Sequence, residues 1–208
     1  MPSRPARRAV SAEVGQGDPA APDEPVRRLL HRIAAPAALA IPDLPSIGAA
    51  LAELAADLDY VTPWAGRLGD RNGLLRIHAP DRGPRLAIVH RQEGRLSAVH
   101  DHGTWVAISP ISGLETHRRY GLTDGPGSRP EIAEVTSLGP AQVATLLPPD
   151  DVHDHGHLAG HGAPAYVLIL TGDDQARFER NEWDAATGRH RVLPAGEIGR
   201  WLASDPWP

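Results

Sequence analysis

The sequence predicts a mainly β chain, a short-stranded barrel or sandwich preceded by helices, and three observations carry that reading. From about Leu74 onward the chain breaks into short apolar runs separated by Gly, Pro and Asp, the texture of an all-β barrel or sandwich. Before that point, apolar residues recur at helical rather than alternating spacing. A His-Asp-His tripeptide also occurs twice, at His100 to His102 and at His153 to His155, each time inside a strand-like stretch.

Taken in order, residues 1–22 are rich in Ala, Pro, Gly and charge and are expected to form a disordered leader. Arg4, Arg7 and Arg8 are not followed by an apolar stretch that could serve as a signal-peptide core, and no run approaches the length of a membrane span. A soluble cytoplasmic protein is therefore expected. Residues 23–65 are expected to be a helical segment packed on the barrel. Glu24 to Ala34 places Val26, Leu29, Leu30 and Ile33 at helical spacing, and Ser46 is a candidate cap for a second helix whose Ile47, Leu51, Leu54 and Leu58 share a face. The barrel itself is assigned to residues 66–195, with strands expected in LLRIHAP, RLAIVHRQEG, TWVAISPISG, LETHRRYG, AQVATLLPP, AYVLILTG and RHRVLP. Pro110 argues for a break or an edge within its run, and Thr123 to Ser128 reads as a loop at the barrel rim. Residues 196–208 form a tail, in which Gly196 to Ala203 suggests a short helix with Ile198, Trp201 and Leu202 on its core side.

Length and composition bound the function. A chain of 208 residues suits one domain with a sizeable core. The net charge of −5 is modest and the basic residues are scattered, which leaves no nucleic-acid footprint. Cysteine is absent, so disulfides, thiolate ligands and cysteine nucleophiles are excluded, and a metal must be held by His, Asp or Glu.

The two tripeptides supply such ligands. Side chains alternate along a strand, so His100 and His102 point the same way while Asp101 points oppositely. A third imidazole about fifty residues on would close one face of a coordination sphere and leave the other open to substrate, an arrangement that suits catalysis. Gly94 precedes His100 by six residues and Gly113 follows His102 by eleven, while Pro148-Pro149-Asp150-Asp151-Val152-His153 supplies a turn ahead of the third histidine. This arrangement resembles both halves of the cupin signature, with Asp150 where a glycine is usual.

At VHDHGTW, GLETHRRYG, LPPDDVH, LTGDD and FERNEWDAATG the chain resembles the thiol dioxygenases of the cysteine dioxygenase family, over roughly residues 70–192. The resemblance implies a cupin barrel, that is, a double-stranded β-helix or jelly roll, with helices at the N-terminal side. Most cupins carry a glutamate ligand four residues after HxH. Here that place is Val106, and loss of the carboxylate marks the three-histidine members. What the resemblance implies is one divalent transition metal, Fe(II) with nickel as the alternative, held by His100, His102 and His153. Its partners would be a small thiol such as L-cysteine and O2, with no nucleic acid and no membrane, in a monomer or homodimer.

Around the metal the likeness weakens. Aligning Thr171-Gly172-Asp173-Asp174 with the family's Tyr-Gly-Gly-Asp puts Thr171 at the tyrosine, Ile169 at the relay histidine and Val167 at the serine, all facing one cavity by period two. Thr171 can donate a hydrogen bond but cannot serve as a phenolic acid. The family's carboxylate-holding side chain aligns near Leu74, which leaves Arg76 as the candidate. Three outcomes stay open: oxidation of cysteine or another thiol to a sulfinate, a diverted cysteine-oxidising reaction such as sulfonamide formation in natural-product biosynthesis, and a non-catalytic metal-binding cupin.

Neighbouring histidines complete the candidates. His155 could replace His153 as third ligand if the register moved by two, and is otherwise expected, with His157, in the pocket or at its mouth. His161 reads as a loop residue, His78 and His90 as core or surface residues, and His117 as facing solvent with Arg119. Trp105, opposite in parity to His102, is expected to pack behind the site. Glu115 and Asp101 are candidates to bond the ligands' second ring nitrogens.

Overall fold

A computed structural model describes residues 21–70, 72–123, 129–197 and 199. Residues 1–20 of the expected leader, most of the Thr123 to Ser128 loop and the expected terminal helix around Ile198, Trp201 and Leu202 lie outside the described residues. Three helices come first: α1 (Glu24–Ala37), α2 (Leu44–Ala56) and α3 (Leu58–Leu68). They are followed by β1 (Gly73–His78), β2 (Arg85–Arg91), β3 (Arg95–Leu96), β4 (Val99–His100), β5 (Val106–Ser112) and β6 (Glu115–Leu122). The remaining strands are β7 (Pro130–Leu138), β8 (Ala144–Leu146), β9 (His153–His157), β10 (Ala165–Thr171), β11 (Arg180–Trp183) and β12 (His190–Leu193).

An aspartate starts each helix. The carboxylates of Asp23, Asp43 and Asp57 accept the backbone N–H of Val26, Ser46 and Tyr60, three residues on, which satisfies donors that the first turn leaves orphaned. Ser46 is thus inside α2 rather than its cap, because Asp43 lies three residues earlier with Pro45 in the first turn. Leu58 is also not on the shared face. Asp57 ends α2 and caps α3, so Leu58 begins a new helix and is exposed.

Two antiparallel sheets form the barrel. One has the order β1-β2-β10-β5-β8, the other β12-β11-β4-β9-β6-β7 with β3 also paired to β9. Sequence-distant strands are neighbours in both, the topology of a double-stranded β-helix. Alternation decides what each sheet buries. Leu86 and Ile88 of β2, Ala107 and Ile111 of β5, and Leu168 and Leu170 of β10 face outward and form one apolar core with Val26, Leu29, Ile33, Ile47, Leu51 and Leu68 of the helices. Each Val, Leu or Ile side chain of this set taken from water is worth about 1.5–3 kcal/mol, so the helices cover a sheet face that would otherwise be wetted. Trp105 joins this outer core, as its parity predicted. The opposite face of the same sheet presents Val106, Ile108, Val167 and Ile169 to the barrel interior.

Pro110 does not break β5. It pairs with Val167 at a register shift, whereas β8 pairs only as far as Ile108. The missing N–H of Pro110 therefore falls where β5 has become a local edge, the position at which a sheet tolerates proline.

A candidate metal centre

The central strands of the second sheet place the histidines. His100 is opposite His153 in the antiparallel pairing of β4 with β9, and opposite Glu182 in the pairing of β4 with β11. His102 lies two residues beyond His100, just before the turn at Gly103, whose φ of +69° favours glycine. The ring centroids are 4.7 Å apart for His100 and His102, 4.7 Å for His100 and His153, and 4.6 Å for His102 and His153. One nitrogen from each lies within 4.8 Å of the others. His153, not His155, completes this group.

The chemistry of these nitrogens fits a bound cation. His100 Nδ1 donates to the Ala98 carbonyl at 2.7 Å, and His153 Nδ1 donates to the Asp151 carbonyl at 3.0 Å. Each ring therefore turns a bare Nε2 lone pair toward the cluster, and that of His153 is buried without a hydrogen-bond partner. Buried acceptors are rarely left so unless something else occupies them. Burial, reinforced by the neighbouring imidazoles, holds His100 and His153 well below the usual histidine pKa, which keeps them in the neutral form that ligation requires. The Nδ1 atoms of His100 and His153 are fixed by backbone carbonyls, not by Glu115 or Asp101. Asp101 points outward and is taken up by Asn181, whose backbone N–H and side-chain amide it accepts at 2.6 Å each.

Among the described residues no carboxylate joins the group. Val106, at the place of the usual cupin glutamate, is buried with Ile108, Ala165 and Val167. Asp151 touches the centre only from behind. Its Oδ2 accepts the His102 backbone N–H at 2.8 Å and sits 3.6 Å from His102 Nδ1.

A cavity of about 240 Å³ opens onto His100 and His102. Among the residues expected here, Arg76, His155, Ile169 and Thr171 line it. Val167 does not: it is on the same face as Ile169 but two residues further from the Thr171 end, sealed in the apolar cluster. The Thr171 hydroxyl donates to the Asp173 carbonyl at 2.9 Å, so its proton is already engaged. His78 is at the cavity wall, whereas His90 is buried elsewhere, stacked on Tyr166 at 4.5 Å. His157 is buried and bonds the Leu114 carbonyl, away from the three-histidine group.

His117, Arg91 and Arg180 were not expected at the site. His117 is buried, not solvent-facing, with its ring 4.8 Å from His153, because β6 lies against β9 and its inward face is closed over. Burial lowers its pKa to about 4. Glu115 bonds His155 Nδ1, and Arg91 Nη2 lies 3.2 Å from His155 Nε2. Burial raises Glu115 to about 7 and lowers Arg91 to about 10. Arg91 and Arg180 both line the cavity.

Fold and site together are those of a double-stranded β-helix barrel carrying three clustered histidines that could hold a metal ion. No protein-family model matches the sequence. No curated protein matches it either. Among solved structures, the dimethylsulfoniopropionate (DMSP) lyase DddQ from Ruegeria pomeroyi aligns at 15% identity and a TM-score of 0.35, covering 52% of this chain and 50% of that one. An uncharacterized protein with a double-stranded β-helix domain from Klebsiella pneumoniae aligns at 13% identity and a TM-score of 0.38, covering 60% and 85%. A cupin-like protein from Thermotoga maritima aligns at 16% identity and a TM-score of 0.37, covering 59% and 75%. The chain thus spans about half the length of DddQ.

Proposed function

We propose that this protein is a metal-dependent oxygenase that uses O2 to oxidise the sulfur of cysteine or a related small thiol to a sulfinate. The observation that carries the reading is the all-histidine ligand group, with Val106 buried where a carboxylate ligand would otherwise stand. Fe(II), or nickel as the alternative, held by His100, His102 and His153 would supply a Lewis acid that favours the thiolate form of a substrate and a route for electrons to O2. Three neutral imidazoles subtract nothing from the charge of the ion, unlike a site with a carboxylate. The net reaction balances as thiol plus O2 giving sulfinic acid, with both oxygen atoms retained.

The chain's own residues set the rest. The carbonyls of Ala98 and Asp151 hold two ligand rings in the required tautomer. Ile108 and Ile169 keep one wall of the cavity apolar and limit water beside the reacting sulfur. Small-molecule thiols and O2 are the partners this chemistry needs. The scattered arginines and net charge of −5 support neither a nucleic-acid nor a membrane partner, a monomer or homodimer suffices for the site, and the cytoplasm is the proposed setting. Among the described residues no helix is long and apolar enough to cross a membrane.

One observation favours a diverted product. Ile169 and Thr171 stand where a relay histidine and a tyrosine would stand in the thiol dioxygenases, and the Thr171 proton is committed to Asp173. No phenol is there to steer the oxidised sulfur, so a product beyond the sulfinate is the second reading. Elemental analysis with oxygen uptake on adding L-cysteine, and mass spectrometry of the products, tests both. Near one metal per chain with oxygen consumed supports the oxygenase, and clean sulfinate as sole product rejects the diversion. Metal without uptake across a thiol panel would leave a binding protein. If His100→Ala keeps both metal and uptake, the assignment fails.

A further inference from the structure

Two cavity arginines flank the histidine group from opposite ends. Antiparallel pairing sets His100 opposite His153 and opposite Glu182, so stepping along the neighbours puts His155 level with Ala98 and Arg180 level with His102. Those levels are four residues apart, about 13 Å at ~3.3 Å per residue, with the ligand rings between them. Arg91 reaches the His155 end from the facing sheet, its Nη2 3.2 Å from His155 Nε2. His155 is in turn anchored through Nδ1 by the buried Glu115 carboxylate, which orients the ring lone pair at the guanidinium. At the other end Arg180 is 8% exposed, gives Nη2 to the Glu197 carbonyl at 2.7 Å, and keeps a buried Nε–H with no hydrogen-bond partner.

The acids of the cavity wall already have cations. Asp174 pairs with Arg85 at 2.9 Å and Glu182 with Arg191 at 2.7 Å. The cavity is therefore cationic at both ends and apolar on one side. Guanidinium groups held in this way favour planar anions that accept two parallel hydrogen bonds.

We propose that the cavity selects a small substrate bearing two carboxylates, one received by Arg91 and the other by Arg180, with the reacting atom between them at the histidine group. The inference deepens the thiol-oxidation reading by naming its substrate class, a compact dicarboxylic thiol, with Glu115 and His155 as positioning residues for Arg91.

Titration calorimetry of the purified protein with succinate and with butyrate, equal in carbon number and differing by one carboxylate, tests this without any turnover. Succinate is expected to bind at least tenfold more tightly than butyrate, and Arg91→Gln and Arg180→Gln each to bring it down to the butyrate level, with the lysine variants recovering part of the preference. Equal binding of the two acids by the native protein overturns the proposal whether or not the variants fold, as does an unchanged preference in both glutamine variants. A succinate preference with no thiol-dependent oxygen uptake would sustain the dicarboxylate site and remove the oxidation reading. Cysteine oxidation with no such preference would do the reverse.

Discussion

Asp151 reaches two of the three ligands from one residue. Its carbonyl accepts from His153 Nδ1, and its buried carboxylate accepts the backbone N–H of His102. Groups that orient metal ligands typically contribute 10–100-fold in affinity, so Asp151→Ala should weaken metal binding by about that factor with all three histidines intact. Competition against a chromophoric chelator measures it, and unchanged affinity would show that His102 is positioned without the Asp151 carboxylate, since alanine keeps the backbone carbonyl that holds His153. The histidines were legible in the sequence because period-two parity and the spacing to His153 are local properties. Arg91, Arg180 and His117 were not. An arginine or histidine in a strand has the same local signature whether it meets solvent or a cavity, and only the partner sheet decides which.

Between elements, the closest approach near the site is at Gly156, between two buried histidines of β9. A Cβ there would meet the Arg95 carbonyl oxygen of β3 at 2.1 Å and Leu96 Cα at 2.9 Å, and neither backbone can swing aside as a side chain would. Gly156→Ala should therefore cost at least about 1–3 kcal/mol and shift β9, lowering both the urea midpoint and metal affinity. An unaltered midpoint would mean that β3 is not held against β9. Most elements were readable from the chain because alternation and helical spacing are set by which face is buried. Misplaced details came from competition over short distances. Asp43 outcompetes Ser46 as a cap, and Asp57 divides what looked like one apolar helical face. Strand β7 escaped notice for a different reason: residues 131–135 are exposed throughout, so no buried face stamped an alternating pattern on them.

The whole molecule holds the half-buried His100 and the buried His117, His153 and His155 at depressed pKa values, against two carboxyls that burial raises, Glu115 in the interior and the half-buried Asp101. For the histidines the unfolded chain binds protons more readily, so the stability they contribute is complete above their unfolded value of 6.5 and is lost as pH falls. His117 alone, at about 4 in the folded protein, accounts for roughly 3 kcal/mol at 1.36 kcal/mol per pKa unit, lost between pH 6.5 and 4. Glu115 works the other way. Raised from 4.5 to about 7, it stabilises the fold most below pH 4.5, and that contribution is lost as pH rises to 7. Asp101, raised more modestly, works in the same direction as Glu115. Four histidines outweigh these two carboxyls, so the metal-free protein should lose stability steadily from pH 6.5 downward. A bound metal should add about 2.7 kcal/mol at a hundred times its dissociation constant. Glu115→Gln keeps an acceptor for His155 but removes the opposing titration, and should therefore steepen the acid branch. Urea unfolding of the metal-free protein and of this variant at intervals from pH 4.5 to 7.5 measures both slopes. A native curve flat across that range would mean that these histidines are solvated rather than buried. A variant curve parallel to the native one would mean that Glu115 stays ionised beside Arg91.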